Sequence, residues 1–158
     1  MKYWLMKTEP STFGLDDLKR APKQTTGWDG VRNYQVRNML RDEMKRGDLA
    51  FLYHSSCDEP GIVGIVEIVR EGYPDPTAFD RKHAHHDPAS KPDAPRWYQV
   101  DVKLSQPFSR VISLAELRSH ESRELAGMLI LRNGNRLSIT PVDPAHWKFI
   151  TALARRKV

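Results

Sequence analysis

A single cysteine, Cys57, stands among the 158 residues. That excludes an intrachain disulfide and makes a reducing compartment the natural setting. No stretch approaches the ~20 consecutive apolar residues of a spanning helix, and the apolar run after Met1 is too short for the core of a secretion signal. The expectation is a soluble cytoplasmic protein without a membrane partner. No glycine-rich loop follows a strand pattern, so nucleoside-triphosphate chemistry is not indicated. There is no internal repeat and no sign of a second domain, and the length suits one domain over residues 1–158. Charge is only mildly one-sided: 25 Lys and Arg against 20 Asp and Glu leave a net +5. Such an excess suits a polyanionic partner without requiring one.

The residues present arrange themselves into short elements. Tyr3–Lys7 reads as an aromatic-rich strand stopped by Glu9-Pro10, and Leu15–Arg20 as a short helix, acidic early and basic late as the helix dipole prefers. A longer helix is predicted from about Tyr34 to Lys45, capped by Asn33 and ended by Gly47. Its core face would be Val36, Met39, Leu40 and Met44, and a basic stripe, Arg37, Arg41 and Lys45, would run along another face. Leu49–His54 and Ile62–Val69 read as strands joined by an irregular hairpin, with Gly64 marking a bulge or a close approach. Five of the eleven prolines fall within residues 71–96, which marks a long functional or mobile loop. Trp97–Leu104 alternates as a half-buried strand. Ser113 to Glu116 has a capping-box pattern, Leu137–Thr140 reads as a last strand, and Asp143-Pro144 opens a final helix that buries Trp147, Ile150 and Leu153 or Ala154. About five strands interrupted by short helices, with no βαβ rhythm, predict an α+β fold: a small mixed or antiparallel β-barrel with flanking helices.

The densest chemistry lies in Trp28-Asp29-Gly30-Val31-Arg32-Asn33-Tyr34-Gln35-Val36-Arg37. An indole, a phenol, two guanidiniums, two amides and a tight Asp-Gly turn within ten residues are the parts of a surface that stacks on a flat ring and holds its phosphates. Stacking on an aromatic is worth roughly 1–3 kcal/mol per base, cations serve the backbone, and amides read base edges. The plainer alternative makes Trp28 a core aromatic beside a helix cap. Polar groups at the predicted strand ends (Lys7, Thr8 and Glu9; Tyr53, His54, Ser55 and Ser56) would complete a concave site if they converge on Trp28–Tyr34. Arg37, Arg41 and Lys45 are the phosphate candidates.

Catalysis and metal binding have weaker support. His54 with Cys57 or Glu9 is a nominal nucleophile-and-base set for a hydrolase, but two side chains three apart in a hairpin define no oxyanion hole. His83-Ala84-His85-His86-Asp87 holds transition-metal donors. No distant Cys/His set completes a recognised spacing, so a polar loop is favoured, with no metal and no cofactor. A third class, a plain protein-interaction module, predicts partner binding insensitive to salt.

Several long blocks then resemble one family. They are Tyr3 to Phe13; Trp28 to Asn38; Gly47-Asp48-Leu49 through Phe51-Leu52-Tyr53-His54-Ser55; Pro60 to Gly64; Tyr73 to Asp80; Arg96-Trp97-Tyr98 with Val100-Asp101-Val102; and Arg136-Leu137-Ser138 with Pro141-Val142. Together they resemble EVE-domain proteins over essentially the whole chain. The resemblance implies a PUA-like barrel, kinship with PUA, ASCH and YTH domains, and a non-enzymatic reader of modified bases in DNA or RNA, modified cytosines foremost. By position it implies a pocket of Trp28, Val31, Arg32, Asn33 and Tyr34, with Lys7, Glu9, Tyr53, His54 and Ser55 nearby. His85-His86-Asp87-Pro88 departs from the family, where tyrosines often precede Asp-Pro.

Overall fold

The computed structural model describes residues 1–156. Six strands form one mixed sheet: β1 (Tyr3–Thr8), β2 (Thr25–Gly27), β3 (Leu49–His54), β4 (Gly61–Pro74), β5 (Tyr98–Ser113) and β6 (Ile139–Val142). Their order is β2-β5-β4-β3-β1-β6. β1 and β3 are parallel, Tyr3 facing Leu49 through Thr8 facing His54. The other pairings are antiparallel. Among the described residues no ladder joins β2 to β6, so closure into a barrel is not seen in the hydrogen bonding. The end strands are too short for long ladders, with three and four residues, and Pro141 in β6 has no N–H to donate.

Period-2 alternation builds two cores from the same strands. Trp4 and Met6 of β1, with Ala50 and Leu52 of β3, face a cluster that includes Leu18, Trp28, Val36, Leu40 and Met44. Leu5, Phe51 and Tyr53 face a second cluster with Leu117, Trp147, Ile150 and Leu153. α1 (Leu15–Arg20) and α2 (Tyr34–Asn38) thus cover one side of the sheet. α3 (Leu114–Ser119) and α4 (Pro144–Arg155) cover the other. Buried on both faces, β1 and β3 read as continuous apolar runs. The predicted caps form: the Asn33 Oδ1 accepts from Val36 N–H at 3.0 Å, Ser113 Oγ from Glu116 N–H at 3.1 Å and Asp143 Oδ1 from Ala145 N–H at 2.8 Å.

The expected helix over Tyr34–Lys45 departs from expectation. α2 ends at Asn38 and a π-helical turn occupies Met39–Glu43, with Met44 already extended. The extended half of β4 lies against this turn. Gly72 allows it, since a Cβ there would sit 2.4 Å from the Leu40 carbonyl oxygen. The predicted core face is nevertheless kept: Val36, Met39, Leu40 and Met44 are all buried. β4 and β5 outrun their predicted spans because bulges carry them past polar and proline residues that broke the sequence pattern.

Candidate nucleic-acid interface

The segment from Trp28 to Arg37 leaves the end of β2, turns at Asp29-Gly30 and enters α2. Gly30 has φ +77°, the left-handed region that favours glycine. Its N–H donates to Asp75 Oδ2 at 2.8 Å. Asp75 is fully buried just beyond β4 and also accepts from Arg32 Nη1 at 3.1 Å, Thr77 N–H at 2.8 Å and Thr77 Oγ1 at 2.6 Å. Burial pushes the Asp75 carboxyl upward. The donors from Thr77, Gly30 and Arg32 outweigh that and hold it below the ordinary carboxylate range.

All five Arg32 N–H donors are spent inside the protein. Nε and Nη2 donate to the His85 carbonyl, Nη1 to the Val31 carbonyl and Asp75, and Nη2 also to Thr77 Oγ1 at 3.4 Å. Arg32 therefore ties the 28–34 segment to the loop after β4 instead of reaching outward for phosphate. Its guanidinium also lies 5.3 Å from the centroid of the Trp97 ring.

Tyr34 is the exposed ring of the site, at 51% exposure. It stacks on buried Trp97 with centroids 4.8 Å apart, and Trp97 Nε1–H donates to Asp87 Oδ2 at 2.6 Å. Arg37 holds its guanidinium 4.9 Å from the Tyr34 centroid and donates to the Arg96 carbonyl at 2.7 Å. The result is a layered stack, Arg32, Trp97, Tyr34 and Arg37, whose outer members reach the surface. Trp28 and Val31 are buried at 8% and 7% exposure, in the first core.

The strand-end residues make hydrogen bonds of their own. His54 Nε2 accepts from Leu15 N–H at 3.1 Å, and Ser55 N–H donates to the Thr8 carbonyl at 2.9 Å. Burial lowers the pKa of His54, with Asp16 opposing, and burial lowers that of Lys7. Among the described residues no hydrogen bond links Lys7, Glu9, His54 or Ser55 to residues 28–34. Tyr53 lies in the other core, because successive residues of a strand face opposite sides. Tyr53 thus departs from the anticipated site, its side chain lying in the second core, while the other strand-end residues are tied to residues 28–34 by no direct hydrogen bond among the described residues.

The basic stripe is also altered. The π turn breaks its i, i+4 spacing, Arg41 pairs with Asp42 at 2.8 Å, and Lys45 lies 3.9 Å from Glu71. Arg37 is the member that stays with the aromatic stack. His54 is engaged with the start of α1. The acceptor nitrogen is occupied by Leu15 N–H, and no hydrogen bond among the described residues joins His54 to Cys57 or Glu9. Asp75, Thr77 and Trp97 are the structural surprises. Asp75-Pro76 is legible as the start of a helical turn, but its tie to Gly30 and Arg32 crosses more than 40 residues and leaves no local signal.

Comparison with known proteins follows the same outline. The EVE domain matches residues 2–153. Human thymocyte nuclear protein 1 is 46% identical, over 98% of this chain and 75% of its own length. The crystal structure of human THYN1 in complex with 5-methylcytosine-containing DNA matches with a TM-score of 0.93 at 44% identity, over 100% of both chains. A protein from Pseudomonas syringae matches with a TM-score of 0.89 at 43% identity, over 96% of this chain and 99% of the other. Among the described residues no helix is long and apolar enough to cross a membrane.

Proposed function

Because the chain belongs to the EVE domain family, we propose that it is a non-enzymatic DNA-binding module that reads a modified base, with 5-methylcytosine the first ligand to test. The observation that carries this reading is the match, over all of this chain and all of the solved chain, to the structure of human THYN1 in complex with 5-methylcytosine-containing DNA. The layered stack supplies the matching chemistry.

Tyr34 takes a base once the Arg37 guanidinium, 4.9 Å from its ring centroid, swings off to a phosphate; Trp97 backs the ring, and Trp28 and Val31 supply apolar packing. Arg32 acts by position, holding the segment against the loop after β4. Asn33 caps α2 with its oxygen, which leaves its amide N–H groups for a base edge. Lys7, Glu9, His54 and Ser55 form a flanking polar rim braced from the core by Tyr53. Arg37 is the principal phosphate contact. Arg41 and Lys45 contribute after a phosphate displaces their acidic neighbours.

Drawing a base from its stack costs a few kcal/mol, which one aromatic contact of roughly 1–3 kcal/mol does not cover alone. Phosphate contacts must supply the remainder, so binding should weaken steeply with salt. A single methyl group in an apolar wall adds about 1–3 kcal/mol, a preference of roughly 5- to 150-fold. Fluorescence anisotropy with matched DNA and RNA strands, plain and carrying 5-methylcytosine, at one fixed salt concentration tests this. Tighter binding to methylated DNA supports the reading. Equal affinity for every strand refutes base recognition, and tighter binding to RNA moves the ligand to that class. Tyr34→Ala should lower affinity about tenfold while the protein stays folded.

A further inference from the structure

We propose that Asp29, His83 and His85 form a binding site for one divalent transition-metal ion of zinc-like softness. Each residue offers one donor atom, and the three atoms lie within 4.8 Å of one another. They come from two segments more than 50 residues apart. Asp29 belongs to the turn after β2, and the histidines belong to the loop after β4.

The framework that brings them together is built from specific contacts. His85 N–H donates to His83 Nδ1 at 3.0 Å, which fixes the His83 ring and leaves its Nε2 for another partner. The two rings sit 4.9 Å apart. The His85 backbone is held by Arg32, and its imidazole lies where only a glycine admits it: a Cβ on Gly30 would be 2.5 Å from His85 Cε1. His85 Nδ1 is buried without a hydrogen-bond partner. A buried imidazole nitrogen without a partner is costly, and an ion is one of the few things that resolves it. Asp29 is exposed and among the described residues its carboxylate makes no hydrogen bond, so it is able to swing toward the ring nitrogens.

The donor set selects the ion. Two imidazoles and one carboxylate suit zinc and its neighbours, and they do not suit magnesium or calcium, which take oxygen ligands. Ligands about 2.0–2.1 Å from zinc in a tetrahedron lie roughly 3.4 Å from each other, so closing the site from donors within 4.8 Å needs a contraction shared by the exposed Asp29 side chain and the two histidine rings. A fourth position is left to solvent. Occupancy would staple the Asp29-Gly30 turn to the histidine loop and stiffen the segment that carries Val31 to Tyr34. Metal binding at this place does not depend on what the neighbouring surface recognises.

The test uses the full chain without a polyhistidine tag, stripped with chelator. Isothermal titration with Zn²⁺ should give one site per chain, and Co²⁺ should develop visible d–d absorption. Asp29→Asn, His83→Ala and His85→Ala, each checked for folding by circular dichroism, should each weaken Zn²⁺ binding at least about tenfold. His146→Ala, on α4, should leave it unchanged. Thermal midpoint should rise with Zn²⁺ in the parent chain and not in His83→Ala. Absence of saturable binding overturns the proposal, as does one-to-one binding that survives all three substitutions. Asp29→Asn and His83→Ala keep the test decisive if His85→Ala fails to fold.

Discussion

Replacing Asp75 by alanine removes one buried carboxylate and four hydrogen bonds at once, those from Gly30, Arg32 and the amide and hydroxyl of Thr77. It strands the Arg32 guanidinium, whose side chain is 24% exposed. Breaking a buried ion pair from one side costs roughly 3–5 kcal/mol, and the partial solvent access of Arg32 places this case at about 3 kcal/mol. The orphaned backbone N–H groups add about 1 kcal/mol. The sum, about 4 kcal/mol, is a large share of the roughly 5–15 kcal/mol that holds a domain together. With a urea dependence of about 2 kcal/mol per M, the unfolding midpoint should fall by about 2 M. Urea titration followed by tryptophan fluorescence reads this directly. A fall under about 0.5 M with unchanged slope would refute the argument that Asp75 organises the site. The pH dependence gives an independent check. Because the folded carboxyl is held below its usual range, its stabilisation is full above the unfolded pKa of about 3.9 and is lost as pH falls through the folded value. The gap between parent and Asp75→Ala should therefore be constant near neutrality and narrow only below about pH 4.

Arg37→Ala should weaken binding to every strand alike and reduce the slope of log affinity against log salt by about one, as measured by anisotropy across a salt series; loss of methyl preference alone would contradict its role. His54 is held neutral by burial and its contact with Leu15, so its contribution is present above its unfolded pKa of about 6.5 and is lost as pH falls below it. In thermal melts the advantage of the parent over His54→Gln should shrink on acidification through that window; a gap that widens would reverse the assignment. Gly30→Ala forces a side chain onto a φ of +77°, which costs about 1–2 kcal/mol, and crowds His85 as well; chemical denaturation should show at least that loss.

Much of the fold could be read from local pattern. The extent of α1, the strand β3 and the caps Asn33, Ser113 and Asp143 follow from periodicity and capping chemistry, which act over a few residues. β2 was invisible because three residues, Thr25-Thr26-Gly27, carry no period. The π turn was invisible because its cause, the approach of Gly72 to Leu40, is non-local. The site shows the same division. Trp28 to Arg37 stood out by composition, yet the role of Arg32 depends on Asp75 and the His85 carbonyl, far along the chain. Tyr53 and His54 looked alike as strand-end polar residues, and strand alternation together with the bulge after Leu52 sent them to different surroundings. The histidine loop seemed to lack a distant partner for its donors, and Asp29, hidden in a turn, proves to be the nearby carboxylate.

The position of β1 between β3 and β6 has a kinetic meaning. Its parallel partner lies more than 40 residues downstream, and its antiparallel partner supplies Ile139 to Val142. Neither ladder can form from neighbours in sequence, so both require closure of long loops before any contact rewards them, the circumstance in which folding is slow. On the ribosome, β1 emerges long before the β6 strand that completes its pairing. Until β6 arrives, β1 presents a bare, apolar edge that another chain could pair with. Aggregation during synthesis, more than instability once folded, is the vulnerability built into this topology.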